Sequence, residues 1–315
     1  MRRTQPWFRP PVLLAAALAG LWVVGERGRL LLPSSRKAAR WMGLRHILDL
    51  SIVHAYVYGR WTKQYMWSLR RLLPRLGRRG RRHVAENYHA KVITPEHAHA
   101  IVHLDRDVPL RDLEQVIPYS RARDLVLTAS PEIALYECAC RLSRADHCGP
   151  TQVCMAVGQP YVDFVLEHHP EDARKVTPEE ALSVLEAEHE RGHVHTAWFR
   201  TAARGRFYAI CNCCPCCCVG MEGMVRHGVG LLASSGFVAH VNEAACSGCG
   251  ACSRACPFGA ISMRDGVAVV DESRCLGCSV CVDRCPTGSI ALERDEARPE
   301  PLDVRVLAAE ASAAG

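Results

Sequence analysis

Residues 246–257, CSGCGACSRACP, and residues 275–286, CLGCSVCVDRCP, carry the same pattern, C-x2-C-x2-C-x3-C-P, 29 residues apart. Three thiolates at two-residue gaps can wrap one face of an iron-sulfur cubane. The fourth, redirected by the proline that follows it, reaches across to the neighbouring cluster. Zinc knuckles do not repeat three short gaps and a proline in both halves, so the spacing argues for iron and sulfide over a zinc ion. Two 4Fe-4S clusters are the expected cofactors.

Working outward, Gly248, Gly250 and Gly277 keep backbone amides close to sulfur, and Ile261 and Ile290 occupy matching apolar positions after each motif. Asp265 and Gly266 read as a hairpin turn between Ile261 to Met263 and Val267 to Val270. On these residues the stretch 237–294 resembles a bacterial-type ferredoxin with two 4Fe-4S clusters. The resemblance implies that Cys246, Cys249, Cys252 and Cys285 bind one cluster and that Cys275, Cys278, Cys281 and Cys256 bind the other.

Eight of the 18 cysteines are used in this way, and the other ten fall in two upstream segments. Cys138 and Cys140 precede Arg141 in a C-x-C-R sequence, with Cys148 and Cys154 following; Cys211, Cys213, Cys214, Cys216, Cys217 and Cys218 form C-N-C-C-P-C-C-C. Six thiols within eight residues repel one another if ionised and bare, so a metal centre is the physical way to hold them together. Consecutive cysteines do not bridge without strain, which weighs against a disulfide knot. The two segments are expected to fold together and share at least one additional iron-sulfur cluster, either one or two cubanes or one cluster of unusual shape. From about His46 to the end of the ferredoxin repeat, this combination is similar to a group of bacterial 4Fe-4S dicluster proteins that have no established reaction. Only their redox character transfers.

Charge divides the chain differently. Residues 1–91 hold 19 Lys and Arg against 3 acids, and residues 92–315 hold 20 against 30, which together give the net charge of +6. The basic third interleaves Trp7, Trp22, Trp41, Trp61 and Trp67, a combination suited to anionic lipid or a partner protein. No nucleic-acid motif accompanies the charge, so nucleic acid is not expected as a partner. The apolar run Val12 to Gly25 has only 14 residues, short of the roughly 18 to 20 that a span requires. It reads as a helix on a membrane surface or packed on the protein. Arg2 and Arg3 admit a twin-arginine export signal as an alternative to a cytoplasmic protein held at the inner membrane face.

The expected fold class is α+β: mainly helical N-terminal and middle regions with a C-terminal ferredoxin-type module. Residues 1–91 form the basic region, in which His46 to Tyr58 reads as a buried or interfacial helix and Leu69 to Arg82 as a linker or an exposed loop. Residues 92–236 form a helical Cys-rich region, 237–294 the ferredoxin domain and 295–315 a flexible tail. Thr94-Pro95, Asp107 before Pro109 and Ser130-Pro131 each suggest a helix start. The clearest helix is Pro178 to Arg191, with Thr177 as its cap, Glu180 completing a capping box and Gly192 as terminator. His189, His193 and His195 match no zinc-binding spacing and read as helix-end or surface residues.

Dinucleotide, P-loop and nucleophile-elbow fingerprints are absent from the sequence. The leading function is therefore an electron-transfer protein or redox-complex subunit, passing single electrons between the two 4Fe-4S clusters and a further Cys-rich centre, with a redox partner protein outside. A reductase with the CNCCPCCC centre as its catalytic site is the alternative from a different class. A metal or redox sensor is the third.

Overall fold

The computed structural model of the protein describes residues 17, 19–20, 32–42, 51–110, 115–116, 125–200, 203 and 205–313. Apart from residues 17, 19 and 20, the apolar run Val12 to Gly25 lies outside them, as do residues 46–50 of the stretch His46 to Tyr58.

The strands in chain order are β1 (Tyr88–Val92), β2 (Val108–Leu110), β3 (Leu125–Leu127), β4 (Ile133–Glu137), β5 (Gln152–Val157), β6 (Ala173–Val176) and β7 (Val194–Arg200). They continue with β8 (Arg206–Cys213), β9 (Leu232–Ala233), β10 (Phe237–Val241), β11 (Ile261–Arg264), β12 (Val267–Val270) and β13 (Ile290–Arg294). Seven of them form one sheet in the order β6-β4-β5-β8-β7-β1-β9, antiparallel except where β9 joins β1 in parallel.

The middle of the chain is thus organised by a sheet, which corrects the expectation of a mainly helical region. Both faces of this sheet are covered, so its strands read as near-continuous apolar runs in place of the polar-apolar alternation that marks a half-exposed strand. Ile133, Leu135, Met155, Val157, Ala197, Phe199 and Ile210 point to one face, where they bury against the helices Pro95–Val102, Pro178–Glu190 and Val304–Ala313. Ala134 and Ala156 point to the other and pack on the helix Tyr161–His168.

The helix starts divide in the same way. Thr94 caps Pro95–Val102 by accepting from the His97 amide, and Thr177 caps Pro178–Glu190 by accepting from the Glu180 amide. Asp107 instead leads into β2, where its carboxylate accepts from the Ala129 amide at 2.8 Å, and Ser130-Pro131 leads into β4. Pro fixes a backbone angle common to first helical turns and to extended chain, so capping chemistry alone does not separate the two.

Two further corrections concern the ends. Leu69 to Arg82 is no linker: the helix Thr62–Leu72, a short turn at Leu73–Arg75 and the helix Arg78–Asn87 run through it, with Met66 and Leu73 buried. The segment after residue 294 is docked, since Leu302, Val304 and Leu307 enter the main core. Among the described residues no helix is long and apolar enough to cross a membrane.

Candidate metal centre

The C-terminal module is built on two antiparallel pairs, β10 with β13 and β11 with β12. Asp265 and Gly266 both take positive φ in the turn joining β11 to β12, as the Asp-Gly sequence predicts. Its eight cysteines line two small cavities, and they divide as the ferredoxin resemblance implies. Cys246, Cys249, Cys252 and Cys285 surround one; Cys256, Cys275, Cys278 and Cys281 surround the other.

The donor set fits iron-sulfur clusters. The Ala260 amide donates to Cys256 Sγ at 3.2 Å and the Ser289 amide to Cys285 Sγ at 3.3 Å, the kind of amide donor that cluster sulfurs take. Burial opposes ionisation of Cys285, yet hydroxyl and amide donors at Ser289 and Thr287 bring its thiol down to about 7. Gly277, at φ +66°, brings the chain so close to β10 that a Cβ would lie 2.3 Å from the Phe237 carbonyl oxygen. Only glycine gives the cluster loop this approach.

The upstream cysteines lie at the second face of the large sheet. Side chains alternate along a strand, so Cys211 and Cys213 share one face of β8, while Asn212 between them faces the opposite way. Cys154 on neighbouring β5 joins that face, and Cys138 follows the end of β4. Cys140 lies in the short helix Ala139–Leu142, and Cys218 caps the helix Val219–His227.

These ten thiols form two groups. Cys148, Cys214, Cys216 and Cys217 bring their sulfurs within 4.8 Å of one another. Cys148 Sγ lies 3.4 Å from Cys214 Sγ and 3.8 Å from Cys217 Sγ. A tetrahedral ion with bonds of about 2.3 Å to sulfur separates its ligands by about 3.8 Å, so this group closes to the dimensions of a single-metal site. Cys216 is exposed, while burial pushes the Cys148 thiol up to about 11. The remaining six make a chain of contacts. Cys211 meets Cys154, Cys154 meets Cys138, Cys138 meets Cys140 and Cys140 meets Cys218. Cys218 Sγ then lies 3.3 Å from Cys213 Sγ.

Two polar side chains within the motifs hold the segments together. Arg141 of C-x-C-R is fully buried, paired with the equally buried Glu188, and its guanidinium donates to the Pro150 and Asn212 carbonyls. Asn212 donates to the Val153 carbonyl at 2.8 Å and meets His195 Nδ1 through its own oxygen at 2.6 Å. The motifs therefore combine ligand candidates with their supports. Arg70, from the stretch expected to be a linker, donates to the Cys217 and Cys140 carbonyls and pairs with Glu222 at 3.2 Å.

The three histidines are structural, and two of them lie deeper than expected. His193, just before β7, is buried against Glu188 at 2.7 Å, and His195 within β7 is buried on Asn212. His189 meets Asp283 of the ferredoxin module at 2.6 Å. Sequence reasoning had no signal for a further group, the aromatic side chains around the thiols. Tyr58, Tyr136, Tyr208 and Trp198 are widely spaced in sequence yet line the same 70 Å³ cavity as Cys138, Cys140, Cys154, Cys211, Cys213, Cys214 and Cys218.

The module is joined to this centre through apolar contact. Phe258, Leu276 and Val280 of the module share a cluster with Ala90, Val92, Val194, Cys213 and Cys218, and Cys211, Cys256 and Cys278 pack against it. The Cys256/Cys275/Cys278/Cys281 cavity thus faces the upstream thiols, whereas Cys249 of the other set is exposed.

Residues 245–289 match the family described as a 4Fe-4S dicluster domain, which defines this part of the chain as an iron-sulfur module. No curated protein matches the chain.

Proposed function

We propose that the protein is an iron-sulfur electron carrier or redox-complex subunit, in which two 4Fe-4S clusters exchange single electrons with a metal centre in the Cys-rich middle. Cys246, Cys249, Cys252 and Cys285 hold the outer cluster; Cys256, Cys275, Cys278 and Cys281 hold the inner one. The observation that carries this reading is the shared apolar cluster: Cys256 and Cys278 on one side, and Cys211, Cys213 and Cys218 on the other, pack on the same side chains. An electron enters from a partner protein at the exposed Cys249 side and moves inward. The clusters supply the one-electron chemistry, and the chain supplies their order, their burial and the amide donors that set their potential.

The test is a redox titration of anaerobically purified protein followed by low-temperature EPR. Reversible signals from two cubanes and a further reducible centre support the reading. Irreversible bleaching, the behaviour of a sensor, contradicts it.

A second reading, a reductase, is favoured by one specific observation. A cavity of about 500 Å³, lined by Trp41, Tyr56, Tyr58, Tyr136, Phe164 and Tyr208 among others, shares Tyr58, Tyr136 and Tyr208 with the thiol-lined cavity. Its size suits a small-molecule site. Small thiols or sulfur compounds that alter the EPR of the reduced upstream centre would establish an open coordination position there, and unaltered spectra leave the carrier reading.

For location, we propose attachment at the inner face of the membrane through the basic N-terminal third. Arg71, Arg75, Arg78, Arg79 and Arg82 are exposed beside Trp67 and Leu72, which are 46% and 50% exposed. Salt-sensitive binding to anionic vesicles supports this placement, and equal binding to neutral vesicles contradicts it.

A further inference from the structure

We propose that Cys138, Cys140, Cys154, Cys211, Cys213 and Cys218 hold an iron-sulfur centre of their own, with six thiolate ligands, separate from the metal site of Cys148, Cys214, Cys216 and Cys217. The inference deepens the electron-transfer reading and rests on it for the choice of iron.

The separation is geometric. Cys213 and Cys214 are adjacent, but Cys213 turns to Cys218 at 3.3 Å and Cys214 turns to Cys148 at 3.4 Å. The two groups also differ in setting: the four-thiol site reaches the surface at Cys216, whereas none of the six is exposed.

The ligand count is what excludes a single ion. A tetrahedral metal takes four thiolates, and here seven thiols, these six and Cys214, line one cavity of about 70 Å³; Cys214 is set apart by its sulfur, which turns to Cys148 at 3.4 Å. No Lys, Arg or His side chain is among the described residues lining it, and Arg141, beside Cys138, is paired with Glu188. Buried in such a cavity these thiols give up their protons only to a cation that takes their charge, and six of them on one cavity suit a polynuclear cation. At the cubane ratio of one terminal cysteine per iron, against two in a 2Fe-2S unit, six thiolates correspond to about six iron atoms. Tyr58, Tyr136, Tyr208 and Trp198 complete the wall and limit water at the centre. The place of the centre also fits: three of its ligands pack on the apolar cluster that Cys256 and Cys278 reach from the ferredoxin module.

The test uses the full chain, with iron, zinc and acid-labile sulfide counted after anaerobic purification. The unaltered protein is expected to hold about fourteen iron atoms or more, about eight of them in the module. In Cys154→Ala/Cys211→Ala about six iron atoms are expected to disappear, while the metal of the four-thiol site and the module's EPR signals remain. In Cys216→Ser/Cys217→Ser the four-thiol metal is expected to go and the buried iron to stay. Loss of both metals in either variant would overturn the separation. Unchanged iron in Cys154→Ala/Cys211→Ala, or loss of only about four, would overturn the six-ligand centre. Should that variant misfold, chelation of the unaltered protein decides: the exposed site is stripped first, and the iron left must exceed the module's eight by about six. Failure of the electron-transfer reading is distinguishable, because it shows as iron that is present in these amounts but not reducible.

Discussion

The eight cysteines of the ferredoxin module and the ten of the middle region solve the same problem in opposite ways. In the module the ligands come from two short, repeated loops, and glycines at positive φ shape the chain around each cavity. No four of its thiols approach as closely as Cys148, Cys214, Cys216 and Cys217 do among the described residues. In the middle region the ligand candidates come from β5, β8, the short helix Ala139–Leu142 and the connecting segments, and they are held by the buried Arg141–Glu188 pair and by helices packed from outside. A local cluster loop carries its geometry in its own sequence. A centre assembled across a sheet depends on residues far away in the chain.

The contrast can be broken at several points. The largest effect is expected at the module's own ligands. Replacing Cys249 by Ser should remove about four iron atoms and one set of cubane EPR signals, while the inner cluster's signals persist. Loss of both sets would mean that the two cavities do not act as independent sites.

In the middle region the corresponding weak point is no ligand at all. Arg141→Ala leaves the buried Glu188 with only His193 and Arg191 and frees the Pro150 and Asn212 carbonyls, and breaking a buried pair costs up to about 3 to 5 kcal/mol. Anaerobic denaturation should show that loss together with loss of the upstream metal, and the module's EPR should be retained. A variant as stable as the parent would remove Arg141 from the account.

Glycine substitutions sharpen the local side of the comparison. Gly277→Ala should impair the inner cluster, because its Cβ meets the Phe237 carbonyl oxygen, whereas Gly288→Ala has only its positive φ of 63° to overcome, since nothing lies within 4 Å of its Cβ position. The expected cost at Gly288 is about 1 kcal/mol, and iron content after anaerobic purification should separate the two. Equal iron in both variants would contradict the close approach at Gly277.

The smallest effect concerns protons. Burial lowers His89 and His195 to about 4, although the Glu86 carbonyl and Asn212 respectively favour their charged forms. Each group's folded pKa lies below its unfolded value of about 6.5, so the unfolded chain binds more protons and stability falls as pH drops from about 6.5 toward 4. The anaerobic denaturation midpoint should decline across this window, and His89→Gln should make the decline shallower. A midpoint independent of pH would place both histidines in contact with water.

The module was legible because its spacing is the chemistry: C-x2-C-x2-C-x3-C-P names both the ligands and their crossing. The capping signals of Pro95–Val102 and Pro178–Glu190 were legible for the same local reason. The large sheet was not, because strands such as Gln152–Val157 are covered on both faces and show no alternation, and because Asp107 and Ser130 precede prolines that serve strands as well as helices. The upstream cysteines were recognisable as candidate metal ligands chiefly by the crowding of Cys211 to Cys218. Their division into four and six was not, since it follows from the pleat of β8 and from which way Cys213 and Cys214 turn. Arg70 and the tyrosines around the thiols carry no sequence signal, because only tertiary contact brings them to the site.

The central claim is that electrons pass from the ferredoxin clusters into iron held by the middle region. Mössbauer spectroscopy of the iron-57 protein, oxidised and then reduced anaerobically, tests this most directly. The account predicts iron beyond the roughly eight atoms of two cubanes, with a spectrum distinct from theirs and changed by reduction. Spectra in which two cubanes account for all the iron, with zinc in the middle region, would contradict it.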